Sequence, residues 1–226
     1  MNTAVIVAAG SGTRFRSDKP KQYLELAGKP VIVHTLERFE ACEAIDSIVV
    51  VMAEEHESEF AAITAKYSFA KLHRAVTGGR TRAESVKNGL GAVDEATEIV
   101  AVHDGARPLV IPEDIERTVK SAVENGAACL VGPVTDTIKK IEGDQIAGTI
   151  DRRDLRRALT PQAFRLGLLL KAFENAPTDE AVSDECYLVE RLGERISAIS
   201  GNPYNLKITH KADLIFAEAL LKAGVV

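Results

Sequence analysis

The first loop of this chain combines glycines with a run of basic side chains. Gly10 and Gly12 follow the short apolar run Ala4–Val7, which indicates a buried strand ending in a turn. Glycine lets backbone N–H groups approach a ligand closely, and N–H groups aligned in such a turn attract anions. The loop is therefore predicted to bind phosphate, and a polyphosphate best matches so many cations. Four basic residues lie within eight positions: Arg14, Arg16, Lys19 and Lys21.

Two common nucleotide-binding motifs do not fit this loop. A dinucleotide fingerprint would need a third glycine where Phe15 stands, and no Gly-Lys-Ser/Thr follows as in a P-loop. The plain alternative is a tight turn after a strand, with Arg16 and Lys19 as solvated surface charges. Arg14 and Lys21 are the better candidates for ligand contact, because they adjoin the glycine turn and a proline respectively.

A second glycine pair, Gly78-Gly79, opens a helical pattern that begins at Arg82 and includes Ser85. Backbone N–H groups at a helix start face outward, and this is where anions bind. The segment is therefore a second candidate for ligand contact. The alternative is a flexible turn before a capped helix.

A third candidate site follows the apolar run Ile99–Val102. Asp104 stands at the end of this run, where a carboxylate can meet a hydrated Mg²⁺ on a phosphate. Arg107 can hold a phosphate with two parallel hydrogen bonds. The alternative for Asp104 is a helix cap or an ion pair with Arg107. His103 is predicted to be packed or hydrogen-bonded, because a lone histidine at a strand end is usually structural.

For two later segments, both a functional and a structural interpretation remain open. The charged stretch Asp151–Arg157 precedes Thr160-Pro161-Gln162, and most of its charges can simply solvate a surface. Lys207, in the strand-like segment Asn205–Thr209, can be an ordinary surface lysine.

The residues available for chemistry are cations, one carboxylate and glycines. No G-x-S-x-G motif is present, and none of the cysteines has a plausible base nearby in sequence. This set fits phosphoryl or nucleotidyl transfer, where positioning and charge neutralisation supply most of the catalysis.

The elements that carry these loops alternate between short apolar runs and amphipathic patterns. This alternation predicts an α/β fold with a doubly wound, mostly parallel sheet, whose ligands lie at the carboxyl ends of the strands. Strands are predicted at Ala4–Ala9, Ile48–Met52, Ile99–His103, Ala127–Val131 and Ile196–Ser200. Helices are predicted at Val31–Cys42, Glu55–Tyr67, Arg82–Val93, Pro112 to about Gly126, Arg165–Ala176 and Ser183–Leu192.

The pattern changes at Asp136, where polar, β-like residues flank a hairpin turn at Gly143-Asp144. This segment, about 136–156, is predicted to be an arm that packs against something else, such as a second subunit, because an isolated hairpin is only marginally stable. A last helix is predicted after Thr209 as its N-cap and ends at Gly224. With no linker or repeat visible, residues 1–226 are predicted to form one domain.

The charge and composition of the chain exclude some classes of partner and indicate a cellular location. The formal net charge of -5 argues against a nucleic-acid partner. No apolar run approaches the roughly 20 residues of a membrane span, and no signal peptide is expected. The three isolated cysteines, Cys42, Cys129 and Cys186, are typical of a reducing compartment, so a cytoplasmic location is expected.

Taken together, the motifs resemble the 2-C-methyl-D-erythritol 4-phosphate cytidylyltransferases of the non-mevalonate isoprenoid pathway. The resemblance covers essentially the whole chain, and the ordered set is more specific than any single motif. It implies a Rossmann-like fold of the nucleotide-diphospho-sugar transferase type with a protruding β-arm. The motifs are Ala8-Ala9-Gly10-x-Gly12-x-Arg14, Pro20-Lys21-Gln22, Gly78-Gly79-x-x-Arg82-x-x-Ser85, Asp104-x-x-Arg107-Pro108, Asp136-Thr137, Asp151-Arg152, Leu159-Thr160-Pro161-Gln162 and Leu206-Lys207-Ile208-Thr209.

The resemblance implies transfer of CMP from CTP to 2-C-methyl-D-erythritol 4-phosphate, with release of pyrophosphate and with Mg²⁺ held near Asp104. It assigns the transition-state charges to Arg14 and Lys21. The implied nucleotide-binding residues are Ala8, Ala9, Gly10, Gly12, Gly78, Gly79, Arg82, Ser85, Asp104 and Gly105. The implied residues for the sugar phosphate are Asp104, Arg107, Thr160, Lys207 and, from the partner arm of a homodimer, Thr137 and Arg152.

Two departures from the family pattern and two rival functions stay open at this stage. Arg80 stands where an acidic residue is frequent, and Ser183-Asp184-Glu185 replaces a more usual Thr-Asp-Asp/Glu. One rival is a cytidylyltransferase for another polyol phosphate, such as ribitol 5-phosphate. The other is a nucleotide-binding protein without catalytic activity.

Overall fold

Seven of the strands form one mixed sheet. A computed structural model of the protein describes residues 1–10, 15, 19–174, 182 and 184–226. The strands are β1 (Asn2–Ala8), β2 (Glu25–Leu26), β3 (Lys29–Pro30), β4 (Ser47–Met52), β5 (Leu72–Thr77), β6 (Ile99–Asp104), β7 (Ala127–Pro133), β8 (Ile138–Glu142), β9 (Gln145–Ile150), β10 (Arg156–Arg165) and β11 (Ser197–Ser200). The helices are α1 (Val31–Ala41), α2 (Glu57–Thr64), α3 (Arg82–Leu90), α4 (Pro112–Asn125), α5 (Leu166–Glu174), α6 (Glu185–Glu190) and α7 (Lys211–Lys222).

The strands of this sheet lie in the order β11-β7-β10-β6-β1-β4-β5, and their directions confirm the predicted mostly parallel α/β sheet. β1 pairs in parallel with β4 on one side and with β6 on the other. β4 and β5 are also parallel, as are β7 and β11. Only β10 runs antiparallel, between β6 and β7. The chain therefore reverses its winding at β1, and crevices for ligands form beside such a switch point at the carboxyl ends of the strands.

Apolar residues cover both faces of this sheet, as a doubly wound fold requires. Successive residues of β1 point to opposite faces, so Ile6 belongs to one core and Val5 to the other. Helices α1, α2 and α4 pack on the Ile6 face, whereas α3, α5 and α6 pack on the Val5 face. A smaller cluster that includes Phe15, Ile208 and Ala217 joins α7 to the loops at one end.

The apolar runs expected to be strands all form strands, and no end differs from its expected position by more than two residues. Two sheet strands, β5 and β10, were not predicted at all. β5 is an edge strand whose His73, Arg74 and Ala75 are exposed, so it lacks an apolar run. β10 begins with two arginines and contains Pro161, and these residues are typical of a loop.

The predicted arm forms a separate two-stranded sheet, β8–β9, outside the seven-stranded one. Gly143 and Asp144 make its two-residue turn, and Gly143 has a φ of 58°, which glycine adopts at little cost. Three isoleucines of this arm are exposed: Ile141, Ile146 and Ile150.

Several helices begin or end at residues other than those predicted. The pattern from Glu55 becomes a short 3₁₀ helix, Glu54–His56, followed by α2, and α3 ends at Leu90 rather than Val93. The prediction of Thr209 as the last N-cap was wrong by one residue. His210 takes this position and shares a capping box with Asp213, because the Asp213 carboxylate accepts the N–H groups of both Thr209 and His210. No helix in the described part of the chain is both long and apolar enough to cross a membrane.

Candidate active site

A cavity of about 380 Å³ lies at the carboxyl ends of β1 and β6. Loops that follow three strands, together with the segment that leads into α7, form its wall. This is the position expected for a ligand in a doubly wound sheet. Predicted site residues in the wall are Ala8, Ala9, Gly10, Lys21, Gly79, Arg82, Ser85, Asp104 and Lys207.

The glycine-rich first loop starts directly from β1. A Cβ atom built on Gly10 would meet no atom of the described residues within 4 Å, and Gly10 lines the cavity. The Gln22 side chain donates to the Ala8 carbonyl at 2.6 Å and to the Gly10 carbonyl at 3.3 Å. Gln22 thereby ties the far end of the loop to its start. The predicted site residues Gly12 and Arg14 lie outside the described part of the chain.

Lys21 lies in a 3₁₀ helix, Lys21–Tyr23, that begins directly after Pro20. The neighbouring side chains of Gln22 and Tyr23 are buried, whereas Lys21 is half-buried and lines the cavity. The 3₁₀ turn fixes Lys21 between its packed neighbours and the cavity. This anchoring limits the number of positions that its ammonium group can take.

The second loop turns as the glycine pair predicted, with Thr81 as the N-cap of α3 accepting the Glu84 N–H. A Cβ on Gly78 would lie 2.3 Å from the Ala9 Cβ and 2.8 Å from the Ser85 Oγ, so only glycine fits where the two loops meet. The Ser85 hydroxyl accepts the Gly79 N–H at 3.1 Å and donates to the Thr81 carbonyl at 2.9 Å. Ser85 therefore shapes the turn that forms this part of the wall.

Three cations surround the Asp104 carboxylate at the end of β6. Lys207 Nζ lies 2.9 Å from Oδ2, Arg107 Nε lies 3.1 Å from Oδ2, and Arg82 Nε lies 3.4 Å from Oδ1. Lys207 is thus an ion-pair partner of Asp104 rather than an ordinary surface lysine. The loop before α7 approaches β6 because the Ile208 N–H donates to the Ala106 carbonyl at 2.8 Å.

The charges around Asp104 decide its ionisation. Burial alone would raise the pKa of this carboxyl group. Lys207, Arg82 and Arg107 outweigh that effect and hold the pKa of Asp104 well below its usual range. The carboxylate is therefore ionised at neutral pH, and the cluster keeps excess positive charge next to the cavity.

Arg82 divides its donors between two carboxylates. Its Nη1 and Nη2 atoms contact Oε1 and Oε2 of Glu185 at 2.5 and 3.0 Å, while Nε faces Asp104. Both carboxylates raise the pKa of the Arg82 guanidinium group, although burial opposes them. Glu185 was not among the predicted site residues.

His103 and Thr160 form a buried pair beneath Asp104. His103 Nε2 lies 3.2 Å from the Arg107 carbonyl oxygen, which can only accept, so Nε2 carries the proton. Nδ1 must then accept the Thr160 hydroxyl proton at 2.9 Å, while Thr160 Oγ1 accepts the Asp104 N–H at 3.1 Å. The prediction that His103 is packed and hydrogen-bonded is confirmed. Thr160 reaches Asp104 because β10 leaves its regular register between Ala158 and Gln162.

The ionisation of His103 links stability to pH. Burial lowers the pKa of His103 from 6.5 to about 3, although the neighbouring Asp104 opposes this. Between these values the unfolded chain binds a proton that the folded chain does not, so stability falls as pH falls. We expect His103 to contribute a slope of up to about 1.4 kcal/mol per pH unit to the free energy of unfolding between pH 6 and 4.

Urea unfolding at several pH values tests this expectation. His103→Gln should show a shallower fall of stability with acidification than the wild type. His73→Gln, which alters an exposed histidine on β5, should keep the wild-type slope. Parallel stability curves for His103→Gln and the wild type would contradict the assignment.

Several predicted residues lie outside the cavity wall. Gly78 and Gly105 support the wall from behind, and a Cβ on Gly105 would come 3.1 Å from the Ala8 Cβ. Arg107 is largely buried, and its Nη1 donates to the Asn205 carbonyl. Thr137 and Arg152 on the arm are exposed, and Arg152 donates to the Thr135 carbonyl.

Two residues that shape the site were assigned no role from the sequence. Gln22 belongs to the quoted Pro20-Lys21-Gln22 motif, so its presence there was a usable signal. Glu185 belongs to the quoted Ser183-Asp184-Glu185 segment, but nothing in that segment indicates a contact with Arg82, which is 103 residues away in the sequence. Arg80 also lines the cavity, and it lies 3.6 Å from Glu84.

Comparison with known proteins places the chain in a family. The family model of 2-C-methyl-D-erythritol 4-phosphate cytidylyltransferase (IspD) matches residues 2–223. A protein of that name from Bacillus velezensis is 43% identical over 221 residues, which cover 97% of this chain and 95% of the relative. A bifunctional enzyme IspD/IspF from Desulfotalea psychrophila is 46% identical over 223 residues, and this chain spans 57% of its length.

A solved structure agrees with these relatives. The 4-diphosphocytidyl-2C-methyl-D-erythritol synthase of Anaerococcus prevotii superposes with a TM-score of 0.86 at 32% identity. The match covers 98% of this chain and 96% of that protein. The predicted fold class is thus confirmed both by the sheet and by a solved relative. With a family model that spans nearly all of its residues, this chain belongs to the 2-C-methyl-D-erythritol 4-phosphate cytidylyltransferase family.

Proposed function

We propose that this protein transfers CMP from CTP to 2-C-methyl-D-erythritol 4-phosphate, forming 4-diphosphocytidyl-2-C-methyl-D-erythritol and releasing pyrophosphate. The observation that carries the proposal is the cavity at the ends of β1 and β6, where Lys21 and Lys207 face a wall of glycine-rich backbone. Cations and open backbone are what a triphosphate and a phosphate monoester need. Membership of the family selects cytidylyl transfer among the reactions that this chemistry allows.

The reaction needs no general base from the protein. A phosphate monoester has a second pKa of about 6, so the attacking oxygen of the acceptor already carries negative charge at neutral pH. That oxygen forms a bond to the α-phosphorus of CTP, and the bond from this phosphorus to the bridging oxygen of the β-phosphate breaks in line. The electron pair leaves with pyrophosphate. The chief difficulty is repulsion between two anions, which positive charges on both sides relieve.

Lys21 and Arg14 are assigned to the triphosphate side. The placement of Lys21 in the cavity wall, after the rigid Pro20, supports this role for the lysine. The open backbone at Gly10 and the Gly79 turn would hold the nucleotide. Both Nη atoms of Arg82 already contact Glu185, so we assign Arg82 to shaping the nucleotide site rather than to a phosphate fork.

The acceptor side is assigned to Asp104, Arg107, Thr160 and Lys207. Lys207 lines the cavity and is about one-third exposed, so its ammonium group can be shared between Asp104 and an incoming phosphate. Asp104 can accept hydrogen bonds from acceptor hydroxyls. Arg107 and Thr160 hold Asp104 in place from behind in this structure, through its carboxylate and its N–H group respectively.

The donor set suits a metal carried in by the nucleotide. Among the described residues, no three His, Cys, Asp or Glu side chains come together as a metal cage. Among the described residues that line the cavity, Asp104 is the one carboxylate, which fits Mg²⁺ bound mainly by phosphates and water. We therefore assign Asp104 to hold Mg²⁺ through water. When bound, the ion would neutralise charge on the triphosphate and on the leaving pyrophosphate.

A homodimer is proposed because the arm has features that one chain does not use. Ile141 and Ile146 are more than half exposed on its surface, and Thr137 and Arg152 do not line the cavity of their own chain. We propose that the arm packs on a second copy and that Thr137 and Arg152 complete the acceptor site there.

Mixing two impaired variants tests whether the arm acts across subunits. Lys21→Ala and Arg152→Ala homodimers should both be poor at low acceptor concentration. If the arm serves the partner, a mixed dimer has one site with both defects and one intact site. Random pairing makes about half of the dimers mixed, so mixing restores up to about a quarter of wild-type activity. If the arm serves its own chain, each mixed site carries one defect and mixing restores nothing. Arg152→Ala alone should mainly raise KM for the sugar phosphate.

The state of the cysteines supports the proposed location of the protein. The buried thiols Cys42, Cys129 and Cys186 are all free, which fits the proposed cytoplasmic location because reducing compartments keep thiols unpaired. The proposal includes neither a nucleic-acid partner nor a membrane. The rival acceptor, ribitol 5-phosphate, gains no support from the family or from the relatives.

Pyrophosphate release with CTP and Mg²⁺ against a panel of polyol phosphates tests the function. We expect rapid release with 2-C-methyl-D-erythritol 4-phosphate and slow release with ribitol 5-phosphate. CTP binding without pyrophosphate release on any acceptor would instead favour a protein that binds nucleotide without turnover.

A further inference from the structure

Glu185 is a fully buried carboxylate that no role in the proposed reaction explains. It is the first residue of α6, and none of its surface is exposed. Ionised glutamates are rarely buried unless a partner offsets their charge. Its position next to Arg82, and through Arg82 next to Asp104, connects it to the cavity.

Hydrogen bonds on both sides fix the position of Glu185. The Asp184 carboxylate caps α6 by accepting the Tyr187 N–H at 3.0 Å, and it also accepts from the Gln162 side chain at 3.0 Å. The carbonyl oxygen of the same Gln162 side chain accepts the Cys186 N–H at 3.1 Å. Since Gln162 belongs to β10, the start of α6 is tied to the sheet on either side of Glu185.

The contact between Glu185 and Arg82 is a two-point ion pair. Each oxygen of Glu185 accepts from a different Nη atom of Arg82, which requires both oxygens to be free of protons. Burial raises the pKa of Glu185 and the Arg82 charge opposes that rise. A guanidinium group held at two points cannot rotate, so the direction of its third donor, Nε, is fixed as well.

That third donor faces Asp104 Oδ1 at 3.4 Å. The described cluster at this end of the cavity thus has three cations, Arg82, Arg107 and Lys207, and two carboxylates. Glu185 offsets the charge of Arg82 without touching the cavity. Without Glu185, the Arg82 fork could turn towards Asp104 or towards a bound phosphate.

We propose that Glu185 is a positioning residue, which acts through Arg82 to hold the Asp104 carboxylate in the orientation that the reaction needs. The proposal rests on the proposed function, because Asp104 is assigned there to the acceptor hydroxyls and the hydrated metal. In this proposal Arg82 contacts both carboxylates and transmits the position of Glu185 to Asp104.

The test compares Glu185→Gln with Glu190→Gln, which removes the same charge from the exposed last residue of the same helix. In Glu185→Gln the amide N–H₂ would face an Arg82 donor, so the two-point pair is lost. We expect kcat per folded site to fall by about tenfold to a hundredfold, the loss typical of misplaced reacting groups. Glu190→Gln should match the wild type. Glu185→Asp, which keeps the charge on a shorter stem, should recover part of the loss.

Normalising kcat to the number of CTP-binding sites removes any effect of incomplete folding. Since Glu185 is proposed to act only through Arg82, Glu185→Gln combined with Arg82→Gln should be no slower than Arg82→Gln alone. Losses that multiply in the double variant would overturn the proposal, as would a normalised kcat of Glu185→Gln equal to that of Glu190→Gln. If Glu185→Gln does not fold, Glu185→Asp decides, and a wild-type kcat there overturns the proposal.

Pyrophosphate release by the wild-type enzyme distinguishes a failure of this inference from a failure of the proposed function. No pyrophosphate release by the wild type would contradict the function itself. Rapid release by the wild type together with unchanged kinetics in the Glu185 variants would remove only the positioning role.

Discussion

Replacing Lys21 by alanine is expected to lower kcat for pyrophosphate release by on the order of 10²–10³-fold, the usual cost of removing one donor that stabilises transition-state charge. Lys21 lines the cavity at the end of β1, where the triphosphate is assigned. As the acceptor phosphate approaches the α-phosphorus, negative charge accumulates there and on the leaving pyrophosphate. An ammonium group held after Pro20 can meet this charge without first reorganising.

The nearest lysine along the chain provides a matched control for Lys21→Ala. Lys19 is two residues away, its Nζ lies 2.7 Å from the Glu59 carboxylate, and it does not line the cavity. Lys19→Ala should therefore keep kcat near the wild-type value. Both variants should unfold at similar urea concentrations, because neither lysine side chain belongs to a core cluster. Near wild-type pyrophosphate release by Lys21→Ala would remove the lysine from the catalytic machinery.

The central strands could be predicted because their sequences are nearly unbroken apolar runs. β4 and β6 are buried at every position, as expected for strands covered on both faces. The loops at their ends could be located for the same reason. β1 and β6 are parallel neighbours, so the glycine turn after β1 and Asp104 at the end of β6 had to lie close together.

The two missed strands show what the apolar pattern cannot predict. β5 is held at the sheet edge through its backbone pairing with β4, while most of its side chains face solvent. β10 lies inside the sheet, but its first three residues are exposed and its buried part includes polar Thr160 and Gln162. These polar side chains bond to His103 and to Asp184, so their burial depends on partners that are distant in sequence.

The residues that line a site could be predicted more easily than the pairs that organise it. Asp104 and Lys207 are separated by about half the chain, and only the folded structure shows that Lys207 Nζ lies 2.9 Å from Asp104. The pair of Arg82 with Glu185 likewise joins two helix starts on different connections. Local sequence patterns specify elements and their ends, whereas such contacts follow from how the elements pack.

Asp104→Asn is expected to separate anion binding from catalysis. The substitution removes one negative charge from a cluster of three cations and two carboxylates. Inorganic pyrophosphate without metal should then bind about tenfold more tightly, a gain of ~1.4 kcal/mol, because less negative charge opposes it. The kcat with the sugar phosphate should fall on the order of 10²-fold, since an amide orients neither the acceptor hydroxyls nor the hydrated metal as a carboxylate does. Tighter anion binding would not speed the reaction, because only interactions that are stronger in the transition state than in the bound substrates raise kcat.

Asp114→Asn is the control for this variant, because Asp114 is also a buried carboxylate paired with an arginine, Arg117 at 2.5 Å, but lies away from the cavity. Both variants should lose stability in urea. Asp104→Asn should lose about 3 kcal/mol, because it leaves largely buried cations without their partner, and Asp114→Asn should lose less, because Arg117 is exposed. Only Asp104→Asn should regain much of that stability when pyrophosphate is added. If pyrophosphate binds Asp104→Asn no better than the wild type, the positive charge of this cluster does not act on a bound anion, and the acceptor-phosphate role of Lys207 would be wrong. If it binds better and kcat is unchanged, Asp104 serves the charge balance of the cluster and takes no part in positioning the acceptor.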